Sequence, residues 1–405
     1  MNQGQRPHVL MLCTDFGYGG AERSFARTAC LLAREFRVTC AVFNDHIAQA
    51  YPLPGSARLL DARPARWAPL RFLQRVRSFR RIACDVGADV SISFLEGADY
   101  VNFFAPVARR YASIRGSKLE DRAIRGWRGV LRRWWMRRLY PRFSGIVAVS
   151  RGLCEEMVTE FSVPRDRIAV IQNFYDLPAL QAQAAEPLAP ALEAAFARHS
   201  VWISVGRLHM QKNQRFLLHV HAGLRTDLPG VRLALVGDGP EQPALERECH
   251  ALGLRFSRYQ DDAFDPSADV WLLGYQSNPH ALVARSQLFL FPSLYEGFPN
   301  ALVEAMACGV PVVSADCVAG PSEILDITRD GRAWRTGSGG VLAAVPEVAD
   351  EATLATWRQA IAHVLREREA MGRAAVARAA VYSEEAALAR WRALLMHGPA
   401  AVESA

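Results

Sequence analysis

The sequence lacks an uninterrupted apolar run of the roughly 18–20 residues that a membrane-spanning helix requires. Residues 1–7 also lack the basic stretch and apolar segment of a secretory signal peptide, and they run directly into the strand-like segment His8–Cys13. From these absences we expect a cytoplasmic protein, either free in the cytosol or bound peripherally to the inner face of the cytoplasmic membrane.

Paired cysteines and metal motifs are missing as well. None of the eight cysteines has C-x-x-C spacing, and most lie in apolar segments, so we interpret them as reduced, buried side chains. There is no Asp-x-Asp pair to hold a divalent metal on a diphosphate, and no Walker lysine motif, G-x-S-x-G elbow or H-E-x-x-H motif. We therefore expect no metal and no other cofactor.

Lysine is almost absent, since only Lys118 and Lys212 are lysines among the 48 basic residues. In such a chain a lysine can mark a place that needs a compact point charge, although chance is the open alternative. Residues 1–180 contain 28 Lys and Arg against 16 Asp and Glu, and the remainder contains 20 against 25. The first half therefore suits a polyanionic partner, but no recognised module predicts nucleic-acid binding.

Short apolar segments alternate with amphipathic ones along the 405 residues, which are too many for one ordinary core. This alternation predicts an α/β protein of two doubly wound, Rossmann-like domains with parallel sheets facing a central cleft. We assign residues 1–176 to the N-terminal domain, 177–198 to a linker, 199–382 to the C-terminal domain and 383–398 to a tail helix that we expect to cross back to the N-terminal domain.

The most specific motif is the segment 293–309, SLYEGFPNALVEAMACG, which follows an apolar strand. Its carboxylates, Glu296 and Glu304, are expected on the order of 10 Å apart, close to the span from a transferred sugar to the ribose of a nucleotide diphosphate sugar. Backbone N–H groups of Gly297–Ala301 at the predicted helix start would face the diphosphate. An ordinary helix with two solvated glutamates is the alternative.

A second strand-to-helix loop, residues 205–213, has the sequence VGRLHMQKN. A departing diphosphate develops negative charge, and Arg207 and Lys212 are predicted to neutralise it in place of a metal. Two surface cations without a ligand are the alternative interpretation. His209 is interpreted as a solvated loop histidine rather than as a ligand or an acid.

Three further loops rich in glycine or polar residues follow predicted strands. Residues 15–22, DFGYGGAE, do not match the dinucleotide fingerprint but open a helix that can admit a phosphate or a sugar, with a tight structural turn as the alternative. For residues 236–240 a structural turn is at least as well supported as ligand contact. Residues 274–279 are a similar case, whose backbone could bind the edge of a base.

Together, three of these motifs resemble family 4 of the retaining glycosyltransferases. The segment Gly320–Leu325 also resembles members that build bacterial surface polysaccharides and lipid-linked oligosaccharides. The motifs that carry the resemblance are Gly206-Arg207 with Lys212, Glu296 with Glu304, and Gly17-x-Gly19-Gly20-Ala21-Glu22.

The resemblance implies a GT-B fold whose C-terminal domain binds the donor and whose N-terminal domain binds the acceptor. It implies retaining transfer of a hexose or N-acetylhexosamine from a nucleotide diphosphate sugar, preferably UDP-linked, to a saccharide or a polyprenyl-diphosphate-linked saccharide. The predicted catalytic residues are Arg207, Lys212 and Glu296. The predicted donor contacts are Gly17, Gly19, Gly20, Gly206, Gly237, Tyr275, Gly297, Phe298, Asn300, Ala301, Leu302 and Glu304.

Two segments depart from the family's pattern. Many members place a histidine near the donor sugar from an N-domain loop, whereas the comparable segment here, Ala112–Gly116, contains Arg115. This departure leaves the sugar selectivity open. The stretch Arg258–Asp269 is longer than usual and has no assigned role.

The basic stretch Arg115–Arg142 indicates a possible contact with anionic membranes. Within it, residues 127–140 combine arginine and tryptophan with aliphatic anchors, as in helices that lie on membrane surfaces. A solvated helix whose aromatic side chains contact the core is the alternative. Two other functions stay open for the whole chain: a nucleotide-sugar epimerase on the same fold, and an inactive sugar-nucleotide-binding module.

Overall fold

The chain forms two compact units in a computed structural model. Unit 1 comprises Met1–Phe174 and Glu384–Ala405, and unit 2 comprises Tyr175–Ser383. The residues that the structure describes are 6–15, 17, 20–44, 51–61, 67–119, 126–259, 264–328 and 330–402.

Unit 1 contains a parallel sheet of seven strands. The strands are β1 (His8–Cys13), β2 (Arg37–Val42), β3 (Arg58–Leu59), β4 (Val90–Phe94), β5 (Arg109–Ile114), β6 (Gly145–Ala148) and β7 (Ile168–Val170). They pair in the order β3-β2-β1-β4-β5-β6-β7, so the direction of growth reverses between β1 and β4. Doubly wound sheets bind ligands at such a switch point, outside the carboxyl ends of the strands.

Helices cover both faces of this sheet. All six residues of β1 are buried, as expected for a central parallel strand covered on both sides. Before the chain passes into unit 2, unit 1 contains the helices α1 (Gly20–Leu32), α2 (Ala68–Val86), α3 (Glu96–Asn102), α4 (Gly126–Leu139) and α5 (Arg151–Phe161).

Unit 2 contains an eight-stranded sheet. The strands are β8 (Ser200–Val205), β9 (Val231–Val236), β10 (Phe256–Arg258), β11 (Val270–Gly274), β12 (Leu288–Phe291), β13 (Val312–Ala315), β14 (Trp334–Gly337) and β15 (Gly340–Ala343). Their order is β10-β11-β9-β8-β12-β13-β15-β14, and β14 is antiparallel to β15. The switch point lies between β8 and β12. The prediction of two doubly wound α/β domains is confirmed.

The helices of unit 2 complete a second layered core. They are α6 (Leu177–Ala185), α7 (Pro190–Arg198), α8 (Gln214–Leu224), α9 (Gln242–Ala251), α10 (Pro279–Ala284), α11 (Asn300–Ala307), α12 (Pro321–Ile324), α13 (Glu351–Arg366) and α14 (Arg368–Ala379). Short 3₁₀ turns add Tyr140–Arg142 and Arg165–Arg167 to unit 1 and Met210–Lys212 and Ala380–Tyr382 to unit 2.

Residues 177–198, for which the sequence predicts a linker, form helices α6 and α7 of unit 2 instead. The side chain of Asp176 caps α6 by accepting a hydrogen bond from Ala179 N at 3.0 Å. The alanine-rich composition that resembles a linker also favours helix, and Pro178 and Pro190 stand in the first turns of α6 and α7, where proline is compatible with a helix.

The final helix, α15 (Glu384–His397), belongs to unit 1. It buries Trp391 and Leu394 in the core of that unit. Ion pairs of Glu384 with Arg34 and of Arg392 with Glu35 tie it to the turn that follows α1. The last 3₁₀ turn is Pro399–Val402.

Candidate functional site

Two of the predicted motifs meet in unit 2 because β8 and β12 are neighbouring strands. The backbone N–H of Leu294 donates to the carbonyl of Gln211 at 2.9 Å. The side-chain amide of Gln211 donates in turn to the carbonyl of Tyr295 at 2.7 Å. These two hydrogen bonds hold the loop that follows β8 against the loop that follows β12.

Lys212 and Glu296 form an ion pair across this junction. Lys212 Nζ lies 2.5 Å from Glu296 Oε1, and the two side chains are 23% and 9% exposed. The ammonium also lies 5.1 Å from the centre of the Phe291 ring. The lysine stem runs along Gly206, where an added Cβ would meet Lys212 Cε at 3.7 Å. Two of the three predicted catalytic residues are thus in direct contact.

Arg207, the third predicted catalytic residue, stands exposed in the loop after β8. Its carbonyl accepts a hydrogen bond from the side-chain amide of Gln214 at 3.1 Å, which fixes its backbone. Within the described part of the chain its guanidinium has no ion-pair partner. Arg207 therefore presents a planar fork of donors in the same loop as Lys212.

The glycines after β8 and β9 have a packing role. A Cβ on Gly237 would lie 2.2 Å from the carbonyl oxygen of Gly206, and one on Gly239 would lie 2.1 Å from that of Leu208. Gly237 also has a φ of 131°, which favours glycine. For Gly237 the structural turn explains the residue without a ligand, while Gly206 remains a predicted donor contact.

Glu304 lies in helix α11 and is largely buried. Its Oε2 is 3.7 Å from Nε2 of His280, the second residue of α10. The other ring nitrogen of His280 lies 3.0 Å from Gln183 Oε1. Sequence reasoning missed His280, whose only signal was its place at the start of the helix that follows β11.

The remaining residues of the Glu-x7-Glu segment divide between interior and surface. Phe298 and Leu302 are buried, and the Phe298 ring packs edge-on against Tyr382 at 5.4 Å, so only their backbone groups remain for a ligand. Asn300 begins α11 and accepts a hydrogen bond from the Tyr175 hydroxyl at 2.6 Å. Gly297 and Ala301 are partly exposed, and Tyr275, after β11, is 66% exposed.

The glycine-rich segment that begins at Asp15 lies in unit 1, after the end of β1. Gly17 N donates to Asp15 Oδ1 at 2.9 Å, which forms a tight turn, and Gly20 is the first residue of α1. Gly19 lies outside the described residues. His209 accepts a hydrogen bond from Gln211 N at 3.2 Å through Nδ1 and so caps a 3₁₀ turn, which gives it a structural role.

The two departures from the family's pattern are partly regular structure. Ala112–Ile114 is the end of strand β5, and Arg115 follows it at the carboxyl edge of the sheet. In the second segment, Arg258 ends β10 and pairs with Glu246 at 2.7 Å. Residues 260–263 lie outside the described part of the chain.

Helix α4 exposes its tryptophans. Trp127 is 73% and Trp134 is 50% exposed, whereas Met136 and Leu139 contact the core. The alternative interpretation, in which the aromatic side chains contact the core, is therefore wrong for these tryptophans. Among the described residues no helix is both long and apolar enough to span a membrane. In the same set, no three His, Cys, Asp or Glu side chains group as metal ligands would.

Comparisons with known proteins agree with this architecture. Residues 18–178 match the family model described as Glycosyltransferase Family 4, and residues 199–352 match Glycosyl transferases group 1. The Anabaena protein HepE, solved in complex with UDP, is 19% identical and superposes with a TM-score of 0.72 over 96% of this chain and 99% of its own. That likeness identifies the GT-B fold.

Two curated relatives are informative. An N-acetylgalactosaminyltransferase of Campylobacter jejuni, which acts on a diphospho-undecaprenol-linked saccharide, is 27% identical over 315 residues, 76% of this chain and 80% of that protein. Lipopolysaccharide 1,6-galactosyltransferase of Escherichia coli is 29% identical over 195 residues, 47% of this chain and 48% of that relative. With both halves matched by family models, this chain belongs to the family 4 type of GT-B glycosyltransferases and transfers sugars in glycan biosynthesis.

Proposed function

We propose that this enzyme moves a hexose or N-acetylhexosamine, with retention of configuration, from a UDP-linked donor to a saccharide or polyprenyl-diphosphate-linked saccharide. The observation that supports donor binding is the Lys212–Glu296 pair in the loops that follow β8 and β12, with Arg207 in the same loop as Lys212. The acceptor class is supported by the Campylobacter relative, and uridine by the UDP complexes of HepE.

The donor diphosphate is bound by two cations. Arg207 offers a planar fork, and Lys212 offers a point charge that exchanges its carboxylate partner for a phosphate oxygen. Glu296, released by this exchange, accepts a hydrogen bond from a hydroxyl of the donor sugar. Glu304, next to His280, binds the ribose hydroxyls. Arg207 and Lys212 thereby neutralise the charge that a metal neutralises in other transferases.

The reaction is a substitution at the anomeric carbon on the face that the diphosphate leaves. The acceptor hydroxyl oxygen forms the new bond as the bond between the anomeric carbon and the diphosphate oxygen breaks. The departing oxygen takes the proton of that hydroxyl, so no protein nucleophile is needed. Catalysis then consists of positioning and of charge stabilisation by Arg207 and Lys212.

The test is a product analysis with the full chain. The protein is incubated with UDP-linked hexoses and N-acetylhexosamines and with a short polyprenyl-diphosphate-linked saccharide, and the anomeric proton coupling of the product is read by NMR. Transfer with retained configuration is expected. An inverted product contradicts the mechanism, conversion of donor without acceptor identifies an epimerase, and binding without turnover identifies an inactive module.

Helix α4 is proposed to contact anionic lipid. Its exposed face carries Trp127, Val130, Leu131 and Trp134 among arginines, and bulky aromatic side chains beside cations suit a lipid headgroup region. This face would bring the enzyme to a lipid-linked acceptor at the inner face of the cytoplasmic membrane.

Vesicle flotation tests the contact. The full chain should float with phosphatidylglycerol-containing vesicles and remain in solution with pure phosphatidylcholine. Replacing Arg133 and Arg138 by Glu should abolish flotation, whereas the same charge change at Arg366 and Arg368 of unit 2 should not. Equal flotation of both double variants would show that α4 does not bind the anionic lipid.

A further inference from the structure

A second cationic side chain at the edge of a sheet is Arg115 of unit 1, at the carboxyl end of β5. Arg115 directly follows this strand, and Arg115 Nη1 donates to Asn173 Oδ1 at 3.0 Å. The guanidinium carbon lies 4.8 Å from the centre of the Phe94 ring, at the end of the neighbouring strand β4. Arg115 therefore stands beside the switch point of the sheet, where doubly wound domains bind ligands.

The guanidinium is enclosed but not neutralised. Arg115 as a residue keeps part of its surface exposed, yet its Nε atom is buried and has no hydrogen-bond partner. Among the described residues no carboxylate pairs with it. Burial alone lowers the pKa of Arg115 to about 9, and no neighbouring acid opposes that shift. A buried charge without a counter-charge is costly, so proteins normally pair it or use it on a ligand.

The position of Arg115 is fixed by other elements. Asn173, which accepts its hydrogen bond, also accepts one from Ser24 Oγ of helix α1 at 3.1 Å. The Phe94 ring is held edge-on by Phe25 of the same helix, at 5.4 Å between ring centres. The guanidinium is therefore oriented before any ligand arrives, which reduces the entropy cost of binding.

Strand β5 provides a matched comparison at its other end. Arg110, its second residue, also lies over a phenylalanine, with 5.6 Å to the ring centre of Phe103, and donates to Phe103 O at 2.6 Å. Its Nε is likewise buried without a partner. Arg110 differs from Arg115 in standing at the amino end of the strand, away from the edge where ligands bind.

We propose that Arg115 binds a phosphate group of a substrate at the carboxyl edge of unit 1. The planar fork of arginine matches phosphate oxygens in a two-point contact, and the phosphate supplies the missing counter-charge. The phosphate belongs either to the lipid-linked acceptor or to the sugar-nucleotide donor. This inference deepens the proposed function and rests on it for the identity of these substrates.

The first experiment measures anion binding without activity. In the full chain carrying R207A and K212A, which weaken the donor site, pyrophosphate is titrated calorimetrically at low ionic strength. Adding R115Q should weaken the remaining binding roughly 10- to 100-fold, the loss of charge-assisted hydrogen bonds. Adding R110Q should leave it within about twofold. Equal binding in the R115Q and R110Q proteins overturns the proposal.

The second experiment identifies the source of the phosphate. In the otherwise native chain, R115Q weakens UDP binding if the donor supplies the phosphate, and raises the acceptor KM at unchanged UDP affinity if the acceptor does. Either result supports the site. If R115Q leaves both the UDP affinity and the acceptor KM unchanged, the proposed phosphate site at Arg115 is wrong. Normal sugar transfer by the same variant would not rescue it.

Thermal unfolding separates binding from a structural role. Because Arg115 lacks a counter-charge, ligand-free R115Q should melt at or above the temperature of the unaltered protein. A lower melting temperature with unchanged pyrophosphate binding means that Arg115 only supports the fold. If R115Q fails to fold, R115K, which keeps the charge but loses the fork, should show the weakened binding. A chain that binds pyrophosphate through Arg115 yet transfers no sugar refutes the proposed function alone.

Discussion

Lys212 in unit 2 and Arg115 in unit 1 stand at equivalent edges of two doubly wound sheets, yet their surroundings differ. Lys212 is paired with Glu296 at 2.5 Å. Arg115 has an amide and an aromatic ring as neighbours, and no carboxylate among the described residues. Both cations follow a strand at its carboxyl end, where phosphate groups are bound in this class of sheet.

The difference indicates two ways of keeping a cation ready for an anion. In the proposed function, the paired lysine is neutralised until a phosphate displaces the carboxylate, which then becomes available to the sugar. The oriented arginine has no carboxylate partner among the described residues, and in our proposal it gains its counter-ion only from the ligand. The first arrangement suits a leaving group whose charge grows during reaction, and the second suits a group whose charge is constant.

The largest expected effect concerns turnover. K212A or R207A should lower kcat by about one to three orders of magnitude, as when a donor to a developing oxyanion is removed. R215A is a matched control from the following helix, since Arg215 pairs with Glu248 outside the site. Steady-state kinetics measure the three variants. Near-normal kcat in both K212A and R207A would separate these cations from the reaction.

The second prediction compares stability at the two edges. K212M leaves the mostly buried Glu296 without its partner and should lower the free energy of unfolding by about 2 kcal/mol. R115M removes a cation that has no counter-charge, so it should leave this free energy unchanged or raise it. Urea unfolding of K212M, R115M and the unaltered protein measures these free energies. An equal loss in both would mean that Arg115 has a partner of comparable strength.

A third prediction uses a buried acid of unit 1. Burial raises the pKa of Asp99 to about 7. The hydrogen bonds that Ser93 Oγ donates at 2.7 Å and Tyr140 Oη donates at 3.1 Å lower this pKa but do not offset the effect of burial. Between about pH 4 and pH 7 the folded protein keeps a proton that the unfolded chain has released, so unfolding becomes easier as pH rises, by about 1.4 kcal/mol per pH unit.

D99N removes this titration. The difference in unfolding free energy between D99N and the unaltered protein, measured by urea at several pH values, should therefore change across that window and level off above it. A difference that does not vary with pH would show that Asp99 titrates equally in the folded and unfolded chain.

The smallest expected effect is that of a chelator. Because Arg207 and Lys212 are proposed to neutralise the diphosphate, EDTA should leave the rate of sugar transfer unchanged. Rates are measured before and after chelation and after adding back magnesium or manganese. A loss restored by one of these metals would show that the two cations do not suffice.

Central strands are the part of the fold that the sequence predicts best. The predicted strand segment His8–Cys13 coincides with β1, which is mostly apolar and buried along its whole length because both faces of a central parallel strand are covered. Strand β5 is harder to predict, because it begins with Arg109-Arg110 and two adjacent arginines are more typical of a surface loop. The hairpin β14–β15 is also hard to predict, because its strands are short and its turn is rich in glycine.

The candidate site was predictable as a set of loops but not as a set of contacts. Parallel strands bring their carboxyl ends to one edge, so the loops after β8 and β12 were expected at the same side of the sheet. The Lys212–Glu296 pair depends on β8 and β12 being neighbours, which spacing does not determine. Sequence spacing likewise does not determine the contact of Glu304 with His280 or the burial of the Arg115 guanidinium.

A crystal structure of the full chain with UDP tests the central claim most directly. The account predicts diphosphate oxygens within about 2.7–3.2 Å of Lys212 Nζ and of the Arg207 guanidinium, with Glu304 at the ribose hydroxyls. It also predicts that Lys212 has left Glu296. A diphosphate bound elsewhere, with the Lys212–Glu296 pair intact, would contradict it.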